Sequence, residues 1–134
     1  MHKKIIVALA LDHGISKEAL DMARHLRGDD GEIFAVHVHE TPSSSVNAFI
    51  PEDAVKRAFA SASETLADRL IGTSDVEPVM LQGSAGRTIT EYARKIDADC
   101  IIIGSHKPGL SDYFLGSTSS RVVRHAPCSV YVIR

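Results

Sequence analysis

Five short apolar runs alternate with stretches of helical periodicity, and this alternation constrains the fold more than any other feature of the sequence. The first run is rich in branched residues and stops at Asp12, which is typical of a strand buried on both faces. The order βαβαβαβαβ predicts an α/β fold, one doubly wound parallel sheet of five strands with right-handed crossovers and about four helices. The predicted strands are Ile5–Leu11, Glu32–Val38, Val76–Leu81, Asp99–Ile103 and Ser129–Ile133.

Residues that favour helix ends mark the limits of the predicted helices. Ser16 is a candidate N-cap for the first helix, and Gly28 is its expected stop. Pro78 interrupts the third strand, so that strand is expected at a sheet edge. The four predicted helices lie within residues 16–28, 51–72, 86–96 and 117–126.

Size and composition narrow the class of protein. The chain has 134 residues, 44% of them hydrophobic, which suits a single domain spanning residues 1–134. A net charge of -2 and 5% aromatic residues provide neither the positive field nor the stacking platform that non-specific nucleic-acid binding requires. The longest apolar run, Ile5–Leu11, is far shorter than the roughly 18 residues of a membrane helix. We therefore expect no membrane insertion and a cytoplasmic location.

The stretch after the fourth strand suits a phosphate chain. In doubly wound sheets, ligands bind beyond the carboxyl ends of the strands, where the winding reverses. Gly104 ends a strand and Gly116 precedes a helix, so free N–H groups from both would point at one place. Candidate charged groups are His106, Lys107 and Arg121. The alternative is that both glycines are ordinary turn residues and Ser117 is a helix N-cap.

Two established phosphate-loop patterns are absent. Gly104–Gly109 has the spacing of a Walker A loop, but Leu110 stands at its lysine position, and no G-x-G-x-x-G occurs. No nucleophile elbow or triad is recognisable either, so slow catalysis is the most that we expect of this stretch.

The closing third of the chain contains three distinctive segments, Ile102–His106, Leu115–Ser117 and Arg121–Arg134. Together they resemble the corresponding part of the universal stress protein family. The first strand, His37–Val38, Gly83–Gly86 and the chain length also fit the family's layout, so the likeness covers the whole chain. It implies the adenine nucleotide alpha-hydrolase-like fold and a bound ATP, with Mg²⁺ as a candidate companion ion.

The resemblance also implies which residues hold the nucleotide. Val38 would meet the adenine through its backbone, Gly104 would lie on the ribose and phosphate side, and the phosphates would sit at Gly116 and the two residues after it. Asp12 would reach the nucleoside and is the candidate Mg²⁺ ligand; if Ala10 is the aligned position instead, that contact is missing. The full implied set is Asp12, Val38, Ile103, Gly104, Ser105, His106, Lys107, Gly116, Ser117 and Thr118.

The loop departs from the family pattern of G-x-x-G, nine residues and G-[ST]. Lys107 stands at the second glycine, and only the eight residues Pro108–Leu115 precede Gly116. The segment Ser105–Pro108 resembles a variant branch with a Ser-x-x-Pro loop, which is also associated with ATP.

Two residue pairs outside the loop have both a functional and a structural interpretation. His37 and His39 share one face of a strand and could hold a metal, but no third ligand is visible nearby, so ordinary strand-end histidines are favoured. Cys100 and Cys128 open the fourth and fifth strands, which would allow a redox pair if those strands are neighbours. Small buried residues are the favoured interpretation.

Three functional hypotheses follow. The first is a cytoplasmic ATP-binding stress-response regulator, in which nucleotide occupancy orders loop 104–116 and signals to an unidentified protein partner. The second is a nucleotide-free dimeric interaction module of the same fold. The third is a slow ATP-hydrolysing or autophosphorylating protein that uses the same site. In the family's arrangement, which the resemblance implies, the apolar strand Ser129–Ile133 lies at a sheet edge, and this predicts a homodimer through it.

Overall fold

The protein is built on one sheet of five parallel strands. The computed structural model describes residues 2–10, 17–40, 49–105 and 115–134. The strands are β1 (His2–Ala8), β2 (Arg27–His39), β3 (Val76–Gln82), β4 (Cys100–Gly104) and β5 (Ser129–Ile133). Their order across the sheet is β3-β2-β1-β4-β5, with every neighbouring pair parallel. The predicted doubly wound α/β fold is confirmed.

Four helices of the described ranges cover the two faces of the sheet. They are α1 (Lys17–Leu26), α2 (Glu52–Arg69), α3 (Ala85–Ile96) and α4 (Ser117–His125). On one face, Leu66 of α2 belongs to the same buried cluster as Ile5 of β1. On the other face, Val122 of α4 packs with Ile6. Because neighbouring strand residues point to opposite faces, the segments of the central strands that helices cover on both sides are apolar at every position, as in residues 5–7, 33–36 and 100–103.

None of these four helices, within the part of the chain that the structure describes, has the length and apolar character of a transmembrane segment.

Both edges of the sheet lie where the sequence places them. β3 forms one edge, with Pro78 opposite Ala35 of β2, and β5 forms the other. Proline has no N–H to donate, so it is tolerated in a strand that has a neighbour on one side only.

The amino end of β2 differs from the prediction. The strand starts at Arg27, directly after α1, instead of at Glu32, so Gly28 lies inside the strand and is not a helix stop. The register with β1 shifts after the pair of His2 and Arg27, which makes this end irregular. A Cβ on Gly31 would stand 2.9 Å from the carbonyl oxygen of His2, so only glycine allows this close approach.

Asp99 anchors the start of β1 to the start of β4. One carboxylate oxygen, Oδ2, accepts the backbone N–H groups of Lys3 and Lys4, both at 2.8 Å. The backbone N–H of Asp99 in turn donates to the Lys4 carbonyl at 2.8 Å. These two N–H donors hold the pKa of the Asp99 carboxyl below its usual value, because hydrogen bonds to the charged form favour that form.

This contact predicts a pH dependence of stability. Because the pKa is lower in the folded than in the unfolded chain, the stabilisation is fully present above about pH 4 and is lost as the pH falls through the depressed value. We expect Asp99→Asn to flatten the fall in unfolding free energy between about pH 4 and pH 2, as measured by urea denaturation. Superimposable pH profiles for the two proteins would contradict the assignment.

Candidate functional site

The sheet changes its winding direction at β1. From β1 the chain moves outward through β2 to β3, and β4 and β5 then lie on the other side of β1. The crossovers therefore diverge between β1 and β4, and a crevice opens at the carboxyl ends of these strands. The structure thus points to the same sheet edge as the sequence.

The turn after β4 is fixed by main-chain hydrogen bonds. Ser105, which is 3% exposed, donates its N–H to the carbonyl of Ile133 at 2.8 Å. The N–H of Gly116 donates to the carbonyl of Ser105 at 2.6 Å, and the hydroxyl of Ser119 donates to the carbonyl of Gly104. The start of α4 is therefore held directly against the end of β4, with residues 105–116 of the chain between them.

Open space and hydrogen-bond donors for a ligand lie beside this turn. Gly104 is exposed, and a Cβ built on it would have no neighbouring heavy atom of the described residues within 4 Å. The N-cap of α4 is Gly116, and the first turn of the helix contains no acidic residue. Within the described ranges, the N–H groups of residues 117–119 have no acceptor. Together with the helix dipole, these donors favour an anion.

A second set of unpaired main-chain groups lies at the end of β2. The register between β1 and β2 ends at Ala8 and Val36, and Leu9 adds one further hydrogen bond, from its N–H to the Val36 carbonyl at 2.8 Å. In a parallel ladder, the next bond would run from the N–H of Val38 to the carbonyl of Leu9. The described residues show no such bond and no other partner for the Val38 N–H or carbonyl on this side.

The Leu9 carbonyl is instead bonded to a side chain. The Nδ1 of His37 lies 2.9 Å from this oxygen. Since a carbonyl oxygen only accepts hydrogen bonds, Nδ1 carries the hydrogen and donates it. His39, two residues on, makes an edge-to-face contact with Phe59 of α2, with ring centroids 5.9 Å apart. The two histidines thus have separate structural partners, and the described residues contain no group of three or more potential metal ligands.

Glu40 occupies the amino end of α3. Its carboxylate oxygen Oε1 accepts the N–H of Ala85 at 3.4 Å. The preceding turn is tied to β2 by a bond from the N–H of Gly83 to the His39 carbonyl at 3.1 Å. Of the two helices that start at this sheet edge on the α3–α4 face, α3 therefore receives negative charge from the chain itself, whereas no carboxylate of the described residues is bonded to the start of α4.

The cysteine pair does not form a redox site. β4 and β5 are neighbours, but Cys100 packs in the cluster on the α1–α2 face and Cys128 against the cluster on the α3–α4 face. Both thiols are free. Burial, with the nearby Cys100 as a smaller cause, raises the pKa of Cys128 to about 11, so its thiolate is scarce at neutral pH.

The structure brings most of the implied residues to one edge. Val38, Gly104, Ser105 and residues 116–118 line the ends of β2 and β4 and the start of α4. The side chain of Ile103 packs in the core on the α3–α4 face at 5% exposure, so only its backbone could serve a ligand. Asp12, His106 and Lys107 lie outside the described residues.

Three details of this edge differ from the sequence interpretation or were missed by it. The N-cap of α4 is Gly116 and not Ser117. The Ser119 hydroxyl donates to the Gly104 carbonyl, a contact not foreseen from the sequence. The contacts of His37 and Glu40 were not foreseen, because their partners lie 28 and 45 residues away along the chain and no local pattern marks them.

Comparisons with known proteins agree on the whole length of the chain. The sequence profile of the Universal stress protein family matches residues 1–134. Universal stress protein G of Salmonella typhimurium is 31% identical over 144 aligned positions, which cover 100% of this chain and 100% of that protein. The chain is thus similar to proteins of its own length.

Solved structures share the fold. Universal stress protein UspA from Lactobacillus plantarum aligns with a TM-score of 0.76 at 22% identity, covering 98% of this chain and 97% of that one. A universal stress protein in complex with cAMP aligns at 0.63 and 16% identity, covering 99% and 97%. A universal stress protein family member from Arabidopsis thaliana with AMP bound aligns at 0.61 and 20%, covering 98% and 90%. These likenesses confirm the predicted adenine nucleotide alpha-hydrolase-like fold.

Proposed function

Because the chain belongs to the universal stress protein family, we propose that it binds an adenine nucleotide at the carboxyl ends of β1, β2 and β4. The observation that carries the proposal is that main-chain groups at both ends of one crevice have no partner among the described residues. Val38 lies at one end, and the first turn of α4 lies at the other. The AMP and cAMP held by two proteins of this fold support the adenine class.

The end of β2 suits the base. Adenine offers a hydrogen-bond donor and an acceptor side by side on one edge. Val38 offers the complementary pair, an N–H and a carbonyl that point away from β3 into the gap beyond the end of β1. Buried main-chain groups nearly always have partners. Val38 is only 7% exposed and its N–H and carbonyl have no partner among the described residues on the β1 side, which favours a ligand at this position.

The start of α4 suits the phosphates. Its first-turn N–H groups have no acceptor in the described residues, and no acidic side chain of that turn competes for them. Ser117 and Thr118 add hydroxyl donors in the same turn. β2 and β4 are two strand spacings apart, about 10 Å, so one nucleoside can bridge the base end and the phosphate end.

The specific ligand proposed is ATP, with Mg²⁺ bound through its phosphates. Asp12, His106 and Lys107 remain predicted contacts, as does the Ser-x-x-Pro character of Ser105–Pro108. We propose that occupancy sets the arrangement of loop 104–116 and that a protein partner in the cytoplasm reads it.

A release experiment tests this function. The protein is purified without added nucleotide and denatured, and the supernatant is analysed by chromatography and mass spectrometry. The emptied protein is then titrated with ATP, AMP and cAMP by calorimetry. We expect a stoichiometric adenine nucleotide or binding in the micromolar range or tighter. An empty protein that binds none of the three at millimolar concentration would reject the function and favour the nucleotide-free interaction module.

We also propose that two copies pair through β5. This strand is an edge of the sheet, and Tyr131 on it is 40% exposed. The Ile133 carbonyl accepts a bond from Ser105 after β4, so alternate residues of β5 face β4 and the N–H groups of Val130 and Val132 face outward. An unpaired apolar edge of this kind favours pairing with a second copy.

Val132→Pro tests the dimer. It removes one outward N–H and leaves the hydrogen bonds to β4 in place, so we expect a monomer where the wild type is a dimer. Val132→Ala, which keeps the N–H, is the matched control and should remain dimeric. Mass measurement by light scattering during size exclusion decides the question, and a wild type that is monomeric at tens of micromolar would contradict the proposal.

A further inference from the structure

We propose that His37 is a positioning residue that keeps the end of β2 open for the base, by holding the Leu9 carbonyl away from the N–H of Val38. This inference rests on the proposed nucleotide site. According to it, the His37 side chain, which lies on the α1–α2 face, controls whether the Val38 N–H in the crevice is available to a ligand.

The hydrogen bonds between β1 and β2 define what His37 does. The ladder proceeds normally as far as the bond from the Leu9 N–H to the Val36 carbonyl at 2.8 Å. One step further, the Leu9 carbonyl accepts a hydrogen bond from Nδ1 of His37 at 2.9 Å and not from the N–H of Val38. The side chain therefore replaces the main-chain donor that the parallel ladder calls for at this position.

The replacement explains why Val38 is unpaired. The two adjacent donors, the His37 imidazole and the Val38 N–H, compete for one carbonyl oxygen. A carbonyl oxygen has two lone pairs and could in principle accept from both donors. The Val38 N–H, however, reaches this oxygen only if β1 and β2 run side by side beyond Ala8, and their paired register ends at that residue. With the imidazole bound, the Val38 N–H has no acceptor in the described residues and is available to a ring nitrogen of a ligand.

Removal of the imidazole donor is expected to extend the ladder. An unbonded carbonyl and an unbonded N–H in a buried location both gain by pairing with each other. In His37→Leu, the N–H of Val38 would close onto Leu9, and β1 and β2 would be paired for one more step. A ligand would then have to break that bond, and one net hydrogen bond corresponds to a loss of about tenfold in affinity.

Two substitutions at position 37 separate positioning from mere packing. His37→Asn places an amide N–H close to the position of Nδ1 and should preserve the bond to Leu9, although asparagine packs less surface than leucine. His37→Leu keeps an apolar side chain of similar bulk but has no donor. A purely structural role for His37 predicts that leucine is the better substitute, whereas positioning predicts that asparagine is.

The first measurement needs no nucleotide. In the nucleotide-free full-length chain, NMR through-hydrogen-bond coupling between the Val38 amide nitrogen and the Leu9 carbonyl carbon reports the bond directly. We expect no coupling in the wild type and in His37→Asn, and a measurable coupling in His37→Leu with at least tenfold slower amide exchange at Val38. Coupling already present in the wild type, or absent from His37→Leu, overturns the inference.

The second measurement is ATP affinity by calorimetry. We expect binding about tenfold weaker in His37→Leu and within about twofold of wild type in His37→Asn. Equal affinity of wild type and His37→Leu overturns the positioning role. If wild type binds no nucleotide but the couplings change as expected, the proposed function and the ligand half of this inference are both wrong, and the control of the Val38 bond by His37 stands alone.

Discussion

Replacing Gly104 with valine should reduce ATP affinity by at least ~100-fold while leaving the fold intact. A Cβ at this position has no heavy atom of the described residues within 4 Å, and its backbone is not in the left-handed region. The added Cβ therefore enters space that no described residue fills, beside the turn at the end of β4. That space is where the ribose and phosphates are proposed to lie, so the loss of affinity has a steric cause.

A matched variant separates this effect from a general change at the sheet edge. Gln82→Val introduces the same side chain at an exposed position at the carboxyl end of β3, outside the crevice between β1 and β4. We expect it to bind ATP as the wild type does. Calorimetry gives the affinities, and urea denaturation of both variants checks that stability is retained. Undiminished ATP binding by Gly104→Val, with either control result, would place the nucleotide elsewhere.

Replacing Ile101 with alanine should lower the unfolding free energy by about 3 kcal/mol. This side chain is 0% exposed and lies in β4 on the α3–α4 face, in one buried cluster with Ile6 and Val122. β4 is flanked by β1 on one side and β5 on the other, so the residues around the cavity have little freedom to move into it. Such a loss is a large part of the stability that a domain of this size has.

Ile71→Ala is the control for that measurement. The same deletion is made at a residue that is 79% exposed, just beyond the end of α2. We expect a change within about 0.5 kcal/mol, because few contacts are lost. Equal destabilisation by the two substitutions, measured by urea denaturation, would show that the core does not lie where the structure puts it.

The sequence predicted the architecture because hydrophobic periodicity is a local signal. Runs such as Cys100–Ile103 mark strands buried on both faces, and Pro78 marks an edge strand, without knowledge of any partner. The start of β2 was predicted too late. Arg27–Gly31 carries no apolar alternation, and its strand conformation depends on pairing with His2 across the sheet.

The candidate site was predictable in part for the same reason. Gly104 and Gly116–Ser117 stand out in the sequence, because a glycine after a strand and small residues before a helix are local features. That the start of α4 is bonded to Ser105, and that the Ser119 hydroxyl is used by the Gly104 carbonyl, depends on contacts between elements.

The sequence by itself determined the fold class, the five strands with both sheet edges, the glycine-rich turn and the family. The tertiary structure alone decided which polar groups pair with one another. It placed Cys100 and Cys128 on opposite faces of the sheet, bonded Glu40 to the amino end of α3 and His37 to the Leu9 carbonyl, and left the Val38 N–H without a partner among the described residues. The physical reason is that apolar patterning records which faces are buried, whereas the pairing of a donor depends on where two distant strands stop running side by side.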